Sequence, residues 1–196
     1  GYLNLRLRVN ATGGHSSAPP PQSGLGIISR AIVKLEDNPF PAELTHIKNT
    51  FAAYAPHALF THRLAIGNTW LLGPVIKATL LSDPAMAASM RTTTAATMAS
   101  GSSKSNILPT RAEAVVNFRI LPGETAESVR DRVVEIIDDE RVEVIMETNF
   151  NPSPVSPTDS MGYQLLAQTI RGFDDNILVA PNLLSGGTDA RYFHVV

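Results

Sequence analysis

The chain of 196 residues is 43% hydrophobic and 17% charged, which is the composition of an ordinary globular protein. A formal net charge of -2 argues against the strongly basic surface that nucleic-acid-binding domains carry. The absence of cysteine excludes disulfides, thiolate metal sites and a cysteine nucleophile, and it leaves the compartment open, with a cytoplasmic location slightly favoured. No signal peptide and no apolar stretch long enough to span a bilayer are visible.

The two ends of the printed sequence favour a segment of a longer protein. The sequence begins at Gly1, directly before a strand pattern, and it ends at Val196, directly after the pattern of a new element. We therefore expect the chain to be part of a larger protein, and a complete small protein is the alternative.

The first forty residues predict a strand, a shaped loop and a helix. A glycine-rich and then proline-rich loop, residues 12–21, follows the strand and holds His15 in a constrained backbone. Ser23 is placed to cap a helix that ends near Asn38. The strand alternates Leu3, Leu5, Leu7 and Val9 with polar residues, and the helix presents Leu25, Ile28, Ile32 and Leu35 on one face.

Residues 40–88 have a different texture, because aromatic residues and leucines lie among prolines without strand alternation. This pattern predicts an insertion of two or three short helices. Three histidines fall here, His46, His57 and His62, and we assign none of them to a metal because no carboxylate stands at ligand spacing.

The second half of the sequence predicts the centre of an antiparallel sheet. Alternation from Ala112 to Ile120 is typical of a central strand, and Pro109 forces a turn or bulge before it. Asn106 is therefore expected at one end of this strand and Arg119 at the other. A threonine-rich strand precedes it (91–97), a helix capped by Thr125 follows with Ala126, Val129, Val133 and Ile136 or Ile137 buried, and another strand contains Val142, Val144 and Met146.

The order of elements predicts an α+β fold: a four-stranded antiparallel sheet with two helices on one face, β-α-β-β-α-β, and a helical insertion. Three prolines in residues 151–157 mark a domain crossing, which divides the chain into 1–150 and 151–196. The second part predicts a helix containing Leu165, Leu166 and Ile170, a strand at 177–180, and a glycine loop at 185–191. About forty residues are too few for a core of their own, so this part is expected to be a partial α/β segment of a larger body.

Four motifs in this order resemble the lid domain and adjoining catalytic segment of the zinc-dependent aminoacylase and carboxypeptidase family. That family includes acetylornithine deacetylase, succinyl-diaminopimelate desuccinylase and carboxypeptidase S, and the resemblance is strongest to carboxypeptidase S and the N-acyl-amino-acid hydrolases. The motifs are Gly-Gly-His-Ser-Ser-Ala-Pro (13–19), Asn-Ile-Leu-Pro (106–109), Asn-Phe-Arg-Ile with Pro-Gly (117–123) and Gly-Thr-Asp-Ala-Arg-Tyr-Phe (187–193).

The resemblance implies a role for each matching residue. His15 matches the lid histidine that reaches, commonly from the partner subunit, toward the scissile carbonyl and stabilises the oxyanion. Arg119 matches the arginine that holds the substrate carboxylate, and Asn106 matches an asparagine that assists there. Gly186, Gly187 and Thr188 match a loop that lines the substrate pocket on the catalytic side.

The resemblance also implies a homodimer formed through the lid domain and a zinc-dependent hydrolase that acts on a peptide or N-acyl amino acid. The zinc ligands and the general-base glutamate of the family lie in segments that this sequence does not contain, so no metal ligand is assigned here. His194 follows the fourth motif too closely to be the late zinc ligand. The segment by itself is therefore expected to bind no zinc and to have no hydrolase activity.

Two alternatives to the hydrolase remain possible from the sequence. A non-catalytic pairing or ligand-binding module would need only the helix-backed sheet, and a zinc-free homologue could serve as a scaffold. For the hydrolase, the apolar insertion favours the hypothesis that the substrate carries a bulky or fatty acyl group.

Overall fold

The structure, a computed structural model, describes residues 1–174, 176–184 and 186–193. It divides into two compact units, each made from two separate parts of the chain. The unit that we call the sheet unit comprises Gly1–Pro41 and Thr92–Pro152. The unit that we call the helical unit comprises Ala42–Arg91 and Ser153–Val196.

Four strands of the sheet unit form one antiparallel sheet in the order β3-β5-β1-β6, which confirms the predicted α+β fold. A second, two-stranded ladder joins β2 to β4. The central position of β5 agrees with the alternation of its sequence, because its even-numbered residues from 112 to 118 are all buried. The strands are β1 (Tyr2–Asn10), β2 (Gly14–His15), β3 (Thr93–Ser100), β4 (Ile107–Leu108), β5 (Arg111–Arg119) and β6 (Glu143–Phe150).

Two helices, α1 and α6, cover one face of this sheet, and the main core lies between them and the strands. The core joins the apolar faces of β1 and β5 to the buried sides of both helices. The described α-helices are α1 (Gly24–Asp37), α2 (Lys48–Tyr54), α3 (Phe60–Gly67), α4 (Thr69–Leu81), α5 (Pro84–Ala88), α6 (Ala126–Ile137) and α7 (Met161–Arg171).

Both sheet-covering helices begin at the residues that the sequence indicates. The Ser23 hydroxyl accepts a hydrogen bond from the Gly26 N–H at 3.1 Å, and Thr125 forms a capping box with Ser128. The predicted burial of Leu25 is wrong, since its side chain is 44% exposed. The buried side of α1 turns toward Gly24 instead, where a Cβ would lie only 3.1 Å from the Cβ of Ala11.

The predicted insertion is helical, but it contains four α-helices (α2 to α5) rather than two or three. Inner residues of α4 pack on a small core formed by Leu44, Ile47 and Met90. No single described helix is long and apolar enough to cross a bilayer, whereas α3 and α4 together reach that length and composition but meet at a bend of 114°.

In the last part of the chain, the structure contradicts one prediction and agrees with another. Residues 177–180 are irregular rather than a strand. The predicted helix containing Leu165, Leu166 and Ile170 is present as α7. Its two leucines are exposed, and Ala167 is the buried residue of this helix.

Candidate functional site

His15 lies in a short ladder that rises from the end of the sheet. Its backbone pairs with Ile107, and the N–H of Ser16 donates to the carbonyl of Asn106 at 3.1 Å. The His15 side chain is exposed, and its Nδ1 lies 2.9 Å from the hydroxyl of Ser17. The His15 ring thus lies at the surface, while pairing of β2 with β4 fixes the backbone of His15.

The close approach of this loop to the chain before β5 depends on Gly13. A Cβ on Gly13 would lie 2.6 Å from Cγ2 of Thr110 and 3.2 Å from the carbonyl oxygen of Leu108. Distances this short require the loop to move away. The glycine that the first motif contains is therefore needed for the packing that positions His15.

Asn106 stands directly before β4, next to the backbone of Ser16. Its side chain is exposed. The structure thus places the backbone of Asn106 next to the paired backbone of His15, and both side chains are exposed.

Arg119 lies at the opposite end of β5 from this pair. The strand β5 contains nine residues, Arg111 to Arg119, so its ends are about 27 Å apart at the usual rise of about 3.4 Å per residue. The guanidinium carbon of Arg119 sits 4.8 Å from the centroid of the Tyr2 ring, and that ring stacks on Phe150 at 5.6 Å. Within one copy of the chain, Arg119 therefore cannot contact the ligand that His15 contacts, unless that ligand is very long.

The face of the sheet opposite the helices carries charged side chains between these two ends. Arg6 and Arg8 both bond to Glu113, at 3.0 and 2.7 Å, and Arg6 also bonds to Glu147 at 2.7 Å. The hydrogen bond from Arg8, with a further one from Arg6, holds the pKa of Glu113 below its ordinary value. This network keeps the Glu113 carboxylate ionised and compensates the two arginines.

The two edges of the sheet differ in character. On β3, residues 95–100 are all exposed, and the strand Thr93–Ser100 contains no charged residue. The other edge strand, β6, carries Glu143 and Glu147. Charged side chains protect a sheet edge from pairing, so β3 is the edge with the properties of a pairing surface.

The remaining predicted site residues, Gly186, Gly187 and Thr188, belong to the helical unit and are exposed. The carbonyl of Thr188 accepts a hydrogen bond from the Arg191 N–H at 3.2 Å, at the start of a short 3₁₀ helix, Asp189–Tyr192. Two residues that the sequence analysis named in this region, Ser185 and His194, lie outside the described residues.

The side chains of the described residues do not fit a metal ion. Across residues 1–174, 176–184 and 186–193, no three His, Cys, Asp or Glu side chains come close enough together to hold one. The motif histidine His15 bonds to a serine hydroxyl and lies next to an asparagine, and neither is a ligand that zinc prefers.

Sequence reasoning missed two groups of residues around the site. Ser17 was part of the quoted motif, but its contact with His15 depends on a turn that only the structure shows. Tyr2 and Phe150 lie in different strands, and their stacking depends on the register of β1 against β6. Their aromatic character was visible in the sequence, whereas their pairing was not.

Comparison with known proteins places the chain in a family. Residues 1–144 match the family model of the M20 peptidase dimerisation domain. A probable carboxypeptidase S-like 2 from Dictyostelium discoideum is 34% identical over 98% of this chain and 37% of its own length. The N-fatty-acyl-amino acid synthase/hydrolase PM20D1 from Homo sapiens is 38% identical over 98% of this chain and 39% of its own length.

Solved structures show the same fold at low sequence identity. An M20 family metallo-carboxypeptidase, Sso-CP2 from Sulfolobus solfataricus, has a TM-score of 0.61 at 16% identity, covering 98% of this chain and 54% of that one. Human carnosine dipeptidase 1 has a TM-score of 0.55 at 13% identity, covering 94% and 43%. The chain spans less than half the length of the curated relatives it matches, and it belongs to the M20 peptidase dimerisation-domain family.

Proposed function

We propose that this chain is the lid and dimerisation part of a zinc-dependent hydrolase that cleaves a peptide or N-acyl amide bond next to a free amino-acid carboxylate. The observation that carries this proposal is the ladder that fixes the backbone of His15 next to that of Asn106, on the family's dimerisation fold. Relatives named as carboxypeptidase S-like proteins and as N-fatty-acyl-amino acid hydrolases support this substrate class. The zinc belongs to parts of the larger protein outside the described residues, and it would activate water and polarise the carbonyl there.

His15 supplies a hydrogen-bond donor to the oxygen that becomes negative in the transition state. Such donors contribute most when they are held in place before the reaction, and the ladder of β2 and β4 holds the backbone of His15 in this way. Asn106, on the adjacent backbone, has an amide that can donate to the same region. Arg119 binds the substrate carboxylate with its fork of donors.

Because Arg119 and His15 lie at opposite ends of β5, one substrate meets both only if two copies of the chain combine. In each copy, Ser100 of β3 lies at the His15 end of the sheet and Thr93 lies at the Arg119 end. If the β3 edges of two copies pair in antiparallel fashion, the His15 end of one copy therefore lies beside the Arg119 end of the other. In that dimer His15 of one copy and the partner's Arg119 share an end of a continuous sheet, with roughly 14 Å between the two β5 strands.

The experiment that tests this arrangement mixes two inactive variants of the full-length enzyme. Each of His15→Ala and Arg119→Ala is expected to lower kcat/KM by about 100-fold or more for an N-acyl amino acid. After dissociation and random re-pairing, half the dimers are mixed and each has one intact site, so about a quarter of the wild-type activity returns. Arg130→Ala on α6 is the control, since Arg130 contacts its neighbour Asp131 on the surface.

Failure of the mixture to regain activity would show that the two residues act within one copy, and it would refute the shared site. Full activity of both single variants would refute the catalytic and carboxylate-binding roles. Metal analysis of the same full-length sample tests the zinc dependence: a fully active, metal-free enzyme would refute it.

Exposed apolar residues in the helical unit favour the hypothesis that the substrate carries a long acyl group. Along α4 an outer stripe that includes Trp70, Leu71 and Val75 is exposed, with Trp70 80% exposed, and between Leu44 and Ser82 the sequence contains no acidic residue. An exposed apolar stripe of this kind normally marks a site that contacts a ligand or another molecule. We assign that contact to the acyl chain of the substrate, in agreement with the hypothesis from the sequence.

This assignment is tested by the ratio of activities on acetyl- and long-chain-acyl-amino acids. In full-length enzyme carrying Trp70→Ser, Leu71→Ser and Val75→Ser, the activity on the long-chain substrate is expected to fall about tenfold relative to the acetyl substrate. Serine at the exposed positions Thr79 and Ala78 on the same helix is the control. An unchanged ratio in the triple variant, or after deletion of residues 40–88, would refute the assignment.

A further inference from the structure

One nitrogen of the His15 ring is held by Ser17. The backbone N–H of Ser17 donates to Nδ1 of His15 at 3.2 Å, and the Ser17 hydroxyl lies 2.9 Å from the same nitrogen. A backbone N–H can only donate, so Nδ1 must accept and carries no proton in the neutral ring. The proton of the neutral imidazole is therefore on Nε2.

The surrounding turn fixes this contact. The Ala18 N–H donates to the His15 carbonyl at 3.2 Å, which closes a tight turn and places Ser17 beside the ring. Among the described residues, none forms a hydrogen bond with Nε2. The nitrogen that carries the proton is thus also the nitrogen left open to a ligand.

We propose that Ser17 is a positioning residue that selects the Nε2–H tautomer of His15 and aims this donor at the substrate oxygen. The proposal rests on the oxyanion role of His15 proposed above. The opposite tautomer would present a lone pair at Nε2, which repels an oxyanion instead of stabilising it. Ser17 therefore acts through His15 and does not contact the substrate.

The tautomer is measured directly by nitrogen NMR of this chain with ¹⁵N-labelled histidine, where His15→Ala identifies the His15 signals. At an alkaline pH, where histidine rings are neutral, we expect the His15 proton on Nε2, and in Ser17→Ala a smaller Nε2–H fraction. Ser16→Ala is the matched control, because Ser16 precedes Ser17 in the same turn and its hydroxyl makes no bond to the ring. A wild-type ring protonated mainly on Nδ1 would overturn the proposal.

Kinetics of the full-length enzyme supply the second measurement. Ser17→Ala is expected to lower kcat about three- to tenfold with little change in KM, and Ser17→Thr, which keeps the hydroxyl, restores most of it. Unchanged kcat in Ser17→Ala, or an equal loss in Ser16→Ala, would overturn the positioning role. An unchanged kcat in His15→Ala would refute the proposed function, while the NMR result would still report on Ser17.

A separate observation concerns Arg119. Its guanidinium lies over the Tyr2 ring at 4.8 Å, and the Tyr2 and Phe150 rings stack at 5.6 Å with 14° between their planes. Tyr2 is paired across the sheet with Arg119 on one side and with Phe150 on the other. Three neighbouring strands thus build one continuous stack at this end of the sheet.

We infer that Tyr2, supported by Phe150, is a positioning residue that holds the Arg119 guanidinium in place for the substrate carboxylate. This inference rests on the carboxylate-binding role of Arg119. A guanidinium held over the face of a ring keeps N–H donors free on its other sides, and these donors can bind a carboxylate in bidentate fashion. Removing the ring leaves the charge in place but frees its orientation.

The test compares Tyr2→Leu with Tyr2→Phe in the full-length enzyme, on a substrate with a free carboxylate and on its methyl ester. Tyr2→Leu is expected to raise KM about three- to tenfold for the free acid and to leave the ester unchanged, whereas Tyr2→Phe keeps the wild-type values. Equal changes on acid and ester would mean a merely structural role. If Arg119→Ala also fails to distinguish acid from ester, the carboxylate-binding role itself is refuted.

Discussion

The sheet unit and the helical unit bury their apolar residues to very different degrees. In the sheet unit, Leu3, Leu5 and Leu7 have no exposed surface, because two helices cover the apolar face of the sheet. In the helical unit, Trp70 of α4 and Met161 of α7 are exposed by 80% and 85%. The sheet unit therefore has a complete core of its own, and the helical unit presents apolar surfaces that suit contact with other groups.

The two units therefore contribute differently to the stability of the chain. A closed core determines the fold and gives the strands fixed ends, which is where His15 and Arg119 stand. An open apolar surface adds little to folding, since its residues gain little from leaving water. The following four predictions test the comparison.

The largest expected effect is on the core of the sheet. Leu5→Ala removes a fully buried side chain between β5 and β6 and is expected to lower the free energy of unfolding by about 2–5 kcal/mol. Leu71→Ala, on the exposed side of α4, is expected to change it by less than about 0.5 kcal/mol. Chemical denaturation measures the change in the free energy of unfolding for each variant, and amide hydrogen exchange in β1 and β5 provides a second measurement. Equal changes for Leu5→Ala and Leu71→Ala would contradict the difference between the two units.

The second prediction concerns Thr92, a buried polar residue where the sheet unit resumes after the insertion. Its hydroxyl accepts from the Leu121 N–H at 3.0 Å and donates to the carboxylate of Glu124. Thr92→Val keeps the shape but leaves both groups without this partner, so we expect a loss of about 1–3 kcal/mol by thermal or chemical unfolding. Thr92→Ser retains the hydroxyl as the control, and an equally large loss there would show that packing is the cause.

The third prediction compares helix caps in the two units. Thr125→Ala removes the capping box of α6, which packs on the sheet, and is expected to cost about 1 kcal/mol in chemical denaturation. Ser160→Ala removes the cap of α7, whose apolar side is mostly exposed, and is expected to cost less. A larger loss for Ser160→Ala would show that α7 belongs to the cooperative core.

The smallest effect concerns Glu113 on the charged face of the sheet, which makes the stability of the sheet unit depend on pH. Because the folded pKa of Glu113 is below its ordinary value of 4.5, its contribution is present above that value and is lost as the pH falls through the lower, folded pKa. In Glu113→Gln the stability of the sheet unit is expected to fall less steeply over this acidic range. Acid titration followed by circular dichroism measures this, and identical titration curves for both proteins would contradict it.

The local patterns predicted the sheet unit well, because its strands and helices bury one face each. The alternation in β1 and β5, and the caps Ser23 and Thr125, agree with the structure. The predictions that were wrong concern residues whose burial depends on parts of the chain distant in the sequence. Leu25 is exposed because the neighbouring residue Gly24, and not Leu25, packs against Ala11. Residues 177–180 are apolar but irregular, since a strand needs a neighbour to pair with.

For the candidate site, the residue types could be predicted from the chain alone: a histidine in a constrained loop, an asparagine before Pro109 and an arginine at the end of a strand. These follow from local rules of backbone conformation and alternation, which act over a few residues. Three features are visible only in the folded chain: Ser17 contacts the His15 ring, Tyr2 contacts Arg119, and His15 and Arg119 stand at opposite ends of one sheet. Such contacts depend on strand register and chain folding, which bring together residues that are far apart in the sequence.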